Sequence, residues 1–111
     1  MLHDLFFIII LDFSEFQNKK IIAFAGIGNP ENFFNLLIDN KLNVIETIKF
    51  PDHHRYSKKE LGNLLDKIKD NNSILLTTEK DYFWISENYK KNIKCLKIKV
   101  EIENKNQFIE E

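Results

Sequence analysis

Five uninterrupted apolar residues, Ile21-Ile22-Ala23-Phe24-Ala25, run directly into Gly26-Ile27-Gly28-Asn29-Pro30, and this junction constrains the fold more than any other stretch. A strand that is apolar at every position has no face left for solvent, so it belongs inside a sheet covered on both sides. Asn29 has a side chain suited to capping a helix, and Pro30 suits the first helical position, where its missing N–H is not needed. Phe33, Leu36 and Leu37 then recur at helical spacing. A buried strand that feeds a helix so tightly begins a strand–helix–strand crossover.

The rest of the chain repeats the pattern. Residues 42–50 alternate loosely enough for a second strand, and Ser57-Lys58-Lys59-Glu60 has the form of a capping box. Leu61, Leu64, Leu65 and Ile68 follow on one helical face. Residues 73–76 predict a third strand, and Thr78-Glu79-Lys80-Asp81 opens a helical turn carrying Tyr82, Phe83 and Trp84. Residues 93–102 alternate as one last strand. Strands separated by helices require crossovers, so the expected fold class is α/β, with three layers and a mostly parallel sheet flanked by helices. The expected organisation is an apolar amino-terminal segment over residues 1–18, an α/β domain over 19–103 and a polar tail over 104–111. The run Leu5 to Leu11 is far shorter than the roughly 20 apolar residues of a spanning helix. It also lacks the basic flank of a signal peptide, and it reads as a strand that is sticky when uncovered.

At 111 residues the chain has room for one domain. Sixteen basic against seventeen acidic residues give a net charge of −1, which argues against nucleic acid as a partner and rules out a strong electrostatic case for binding anionic membrane. The single cysteine, Cys95, cannot form an internal disulfide and suggests a reducing compartment, with a buried inert thiol as its default role.

The scarce residue types mark the chemistry. Glycine, proline and arginine concentrate in two loops, as Gly26, Gly28 and Pro30 and then Pro51 and Arg55, and the second loop also holds His53 and His54. In a parallel sheet these loops, together with residues 77–81, emerge along the carboxyl edge, where α/β proteins bind ligands. Gly26-Ile27-Gly28 resembles the start of a dinucleotide fingerprint, but Glu31 stands where its third glycine should be and would repel phosphate. The alternative is a tight turn that needs the positive φ of glycine. No Gly-x-x-x-x-Gly-Lys-Ser/Thr loop is present. Asp52-His53-His54 admits three readings. One is metal binding, which needs at least three ligands. Another is a structural loop, with Asp52 as its cap and one histidine packed against Tyr56. The third is an exposed catalytic imidazole oriented by a carboxylate. Thr78 and Asp81 are expected to start a helix, with Thr78 as cap and Asp81 favoured by the helix dipole.

Three segments in order, residues 23–30 with Phe33-Phe34, Phe50-Pro51-Asp52-His53-His54 with Tyr56, and Thr78-Glu79-Lys80-Asp81, resemble the carboxyl-terminal part of tetraacyldisaccharide 4′-kinase over roughly residues 19–102. The resemblance implies the distal domain of a P-loop-type kinase of lipid A biosynthesis in Gram-negative bacteria. That enzyme moves the γ-phosphate of ATP, with Mg²⁺, to the 4′-hydroxyl of a tetraacyldisaccharide 1-phosphate at the cytoplasmic face of the inner membrane. It implies His53 as support for a catalytic carboxylate in the amino-terminal half, with His54 as the alternative. Asp52, Tyr56, Gly26, Gly28, Asn29, Thr78 and Asp81 would shape the loops. The family's phosphate loop and metal-binding carboxylates lie upstream of the matching region. The chain alone is therefore expected to bind neither ATP nor Mg²⁺, to be inactive, and to need the amino-terminal half as partner and the lipid A disaccharide precursor as substrate. The small and basic residues usual after Glu-Lys-Asp are replaced here by Tyr82-Phe83-Trp84. A non-catalytic interaction module or relic that kept the fold is the competing expectation.

Overall fold

The computed structural model describes the backbone of residues 5–104 and the side chains of residues 12–97. Four strands form a fully parallel sheet: β2 (Lys20–Ala25), β3 (Asn43–Lys49), β4 (Ile74–Thr78) and β5 (Ile93–Leu96) stand in the order β3-β2-β4-β5. The crossovers are α1 (Pro30–Asp39) between β2 and β3 and α2 (Lys58–Asn71) between β3 and β4; the short helices α3 (Glu79–Phe83) and α4 (Glu87–Lys90) lead into β5.

The strict alternation of side chains along a strand explains why β2 had to be apolar throughout. Ile21, Ala23 and Ala25 join Phe33, Phe34 and Leu37 of α1 in one core, while Ile22 and Phe24 join Leu61 and Leu64 of α2 in another. All five of these β2 residues are fully buried. In β4, Leu76 faces the first core and Leu75 the second, and in β5 Leu96 and Ile93 divide in the same way. The expected three-layer α/β architecture is present, with α1 on one face and α2 on the other. Edge strand β3 is half-buried only at every second residue.

Ser57 and Glu60 form the expected capping box: Ser57 Oγ accepts from the Glu60 amide at 3.1 Å, and a Glu60 carboxylate oxygen accepts from the Ser57 amide at 2.9 Å. The helix stops at Asn72, whose φ of 49° opens the left-handed turn that asparagine tolerates.

Three expectations need correction. The stretch 93–102 is two strands. β5 belongs to the parallel sheet, whereas β6 (Ile98–Asn104) pairs antiparallel with β1 (Leu5–Leu11) in a separate two-stranded sheet. Periodicity continues across Lys97 because both strands alternate, so the pattern could not show the change of partner. Asn29 does precede α1, but its side chain makes no capping hydrogen bond, and Pro30 carries the start of the helix. No glycine among the described residues has positive φ. Gly26 is required for room instead: a Cβ there would lie 2.9 Å from the Pro51 carbonyl oxygen and 3.2 Å from both His54 Cβ and Tyr56 Oη. His3 and residues 105–111 lie outside the described residues.

Candidate functional site

From β2 the chain leaves to β3 on one side by way of α1, and it returns to β4 on the other side by way of α2. The loops after β2 and β4 therefore diverge to opposite faces, and such a switch point opens a crevice at the carboxyl edge of the sheet. Here it is a groove of about 510 Å³ whose walls include Gly28, Asn29, Asn32, Phe33, Thr78 and Lys80. The loop after β3, which carries Asp52-His53-His54, borders the same edge.

Asp81 joins these loops. Its side chain is buried, and three donors converge on it: the Gly26 amide at 2.9 Å and the Tyr56 hydroxyl at 3.0 Å on Oδ1, and the Thr78 hydroxyl at 2.6 Å on Oδ2. Thr78 Oγ1 in turn accepts from the Asp81 amide at 3.0 Å, the expected cap of α3. A buried carboxylate is tolerable when donors surround it. Asp81 thus does more than complement a helix dipole, because it ties the ends of β2, β3 and β4 together. Burial first, and then the negative charge of Asp81, push the Tyr56 phenol well above its ordinary value of 10.0 and hold it as a donor.

The two histidines are separated by their surroundings. Residues 51–54 form a β-turn closed by the His54 amide on the Pro51 carbonyl at 3.1 Å, with His53 at its third position and a φ of 59°. His54 turns inward. Its Nε2 lies 2.9 and 3.0 Å from the Glu60 carboxylate oxygens, and its ring stacks on Phe50 at 4.9 Å and meets the edge of Tyr56 at 4.9 Å. Hydrogen bonds from the Ser57 amide and from His54 hold the Glu60 carboxyl below its ordinary range. His53 turns outward: its amide is fixed to the Gly26 carbonyl at 3.0 Å, while its side chain is 71% exposed. The nearest Asp52 carboxylate oxygen is 3.7 Å from His53 Nε2, too far to set a tautomer by a direct hydrogen bond. The loop therefore holds one packed histidine, His54, and one exposed histidine, His53.

Gly28 is less constrained than Gly26, since a Cβ there would sit 3.5 Å from Asp52 Oδ2, an ordinary contact. Among the described residues no group of three or more His, Cys, Asp or Glu side chains is gathered tightly enough to hold a metal. Nor do the residues present fit a triphosphate, since the first turn of α1 offers Glu31, already paired with Lys49 at 2.6 Å. Cys95 is half-buried, and burial raises its thiol pKa above the ordinary value. Two features escaped the sequence: the second task of Glu60 in holding His54, and a stack of Arg55 on Trp84, 3.7 Å from guanidinium carbon to ring centroid. The capping box signalled Glu60, but only the folded loop brings His54 to it.

The class defined by this sheet and rim is an α/β domain with a groove along the carboxyl edge of its parallel sheet. Comparison with known proteins makes it specific. The sequence model of the family described as "Tetraacyldisaccharide-1-P 4'-kinase" matches residues 10–111, and the chain belongs to that family. It is 44% identical over 94 residues to a tetraacyldisaccharide 4′-kinase of Rickettsia bellii, covering 85% of this chain and 29% of that protein. It is 39% identical over 83 residues to the one of Pelagibacter ubique, covering 74% of this chain and 26% of that protein. The fold matches LpxK from Aquifex aeolicus, solved in complex with ATP, with a TM-score of 0.66 at 22% identity over 96% of this chain and 34% of that one. The chain thus spans under a third of the length of the curated relatives it matches.

Proposed function

We propose that this chain is the distal part of a lipid A kinase that transfers the γ-phosphate of ATP to the 4′-hydroxyl of tetraacyldisaccharide 1-phosphate, and that it is inactive by itself. The observation that carries the reading is the division of labour in the Asp52-His53-His54 turn. His54 is committed to Glu60 and Phe50, while His53 is held by its backbone and keeps its imidazole free on the rim. An exposed imidazole on a backbone held in this way can orient a carboxylate that takes the proton of the attacking sugar hydroxyl, and this chain would meet that carboxylate on the amino-terminal half of the kinase. Nucleotide and Mg²⁺ would belong to that half, a reading supported by the lack, among the described residues, of any group of three or more His, Cys, Asp or Glu side chains able to hold a metal. In the complete enzyme the cleft would work at the cytoplasmic face of the inner membrane, where the acylated substrate resides. Among the described residues no helix is long and apolar enough to cross a membrane.

The test is to purify the chain and assay it with and without the amino-terminal half of a relative. The expected result is no saturable ATP binding and no turnover alone, and Mg²⁺-dependent phosphorylation of the disaccharide when the halves are mixed. Turnover by the chain alone would contradict the division of parts, and an unreactive mixture whose halves bind each other would favour a non-catalytic module.

A further inference from the structure

Beside the catalytic rim, α3 ends in two aromatic residues that no core accommodates. Phe83 is 71% exposed and Trp84 is 40% exposed. They are nonetheless held firmly. Asp81 on one side and Ile85 on the other are buried, and the Trp84 amide donates to the Asp81 carbonyl at 3.0 Å. The two rings meet at right angles, with centroids 5.2 Å apart and an interplanar angle of 89°. Perpendicular rings form a wedge; they do not form the flat platform on which a single sugar ring would stack.

Cations flank the wedge. The Arg55 guanidinium lies over the Trp84 ring at 3.7 Å, so its stem follows an apolar surface while its nitrogen edges stay in water. Lys80 shares a small crevice with Trp84 and His53, and neither Arg55 nor Lys80 forms an ion pair among the described residues. The nearby Asp81 carboxylate is buried and saturated by its three donors. An exposed aromatic wedge flanked by two cations that form no ion pair among the described residues matches the interface of a bilayer, where aromatic rings sit among headgroups and cations meet phosphates.

We propose that Phe83 and Trp84, with Arg55 and Lys80, form a contact with the surface of an anionic phospholipid bilayer. The chain's net charge of −1 gives no global attraction, so the contact is local and weak. It goes beyond the kinase reading and does not depend on the role of His53. It would hold the His53 rim at headgroup depth.

Trp84 is the only tryptophan in the chain and reports on its own position. The experiment titrates the full chain with vesicles of phosphatidylcholine alone and of phosphatidylcholine with phosphatidylglycerol, following Trp84 emission and its quenching by acyl-brominated lipid. The expected result is a blue shift and quenching on the order of millimolar lipid, as suits a contact smaller than one acyl chain. Binding should be roughly 10- to 30-fold tighter on the anionic vesicles at low salt, given two cations at the surface. Phe83→Ser should abolish the shift with an unchanged circular dichroism spectrum, and Arg55→Gln with Lys80→Gln should remove the anionic preference. Three results would overturn the proposal: no binding, binding without quenching of Trp84, or burial of Trp84 only when the amino-terminal half is added. The second would place lipid contact elsewhere on the chain, and the third would assign the wedge to a protein interface.

Discussion

The Gly26 amide and the Asp81 carboxylate, 55 positions apart in the chain, meet at 2.9 Å inside the protein. This bond joins the end of β2 to the start of α3 and, through Tyr56, to the loop after β3. Asp81→Ala would strand the Gly26 amide and the Tyr56 and Thr78 hydroxyls. An unsatisfied buried polar group costs about 1–3 kcal/mol, so the total loss should be about 3 kcal/mol or more. Asp81→Asn, which keeps one carbonyl acceptor, should lose about half as much. Urea denaturation of the two variants checks this order.

Gly26→Ala tests the same junction from the other side. Its new Cβ would press on the Pro51 carbonyl, which is backbone and cannot swing away. The expected loss is about 1–3 kcal/mol, as for overpacking. Gly62→Ala is the contrasting case: Gly62 lies inside α2, and a methyl group added there would meet nothing within 4 Å. Helix propensity then favours alanine by about 1 kcal/mol, and thermal melting should show the stabilisation.

The layers were legible in the sequence because β2 is apolar at every position from Ile21 to Ala25 and the face of α2 recurs at Leu61, Leu64 and Ile68. Local patterns carry such information. The capping box and the Thr78 cap were legible for the same reason, since both bond within three residues. What stayed hidden depends on contacts distant in sequence. The split of residues 93–102 between two sheets is set by pairing with β1, and Asp81 acquires its role only when Gly26 and Tyr56 arrive. The histidine loop was half legible: the motif marked it, but only the inward turn of His54 toward Glu60 separates its two imidazoles.

The Glu60 carboxyl titrates below its ordinary value of 4.5, so the folded state holds it ionised more strongly than the unfolded chain does. The resulting stabilisation is full above the unfolded value and is lost as pH falls through the lower folded value. Wild type should therefore be more stable than Glu60→Gln at pH 6, and the gap should narrow as pH falls below the ordinary value of 4.5. Denaturation across that range checks the sign; a gap that widens in acid would contradict it.

His53 makes the most direct test, in an enzyme reassembled from this chain and the amino-terminal half of the kinase. His53→Gly keeps the turn, because glycine accepts the φ of 59° without strain, and it removes only the imidazole. Turnover with the disaccharide substrate should fall by about 10²- to 10⁴-fold, the usual share of acid–base machinery. The variant's stability should stay within about 1 kcal/mol of wild type. His54→Ala should do the reverse, weakening the fold through loss of the Glu60 and Phe50 contacts while the folded fraction keeps most of its turnover. Full activity in a folded His53→Gly enzyme, or a larger catalytic loss at His54, would contradict the assignment.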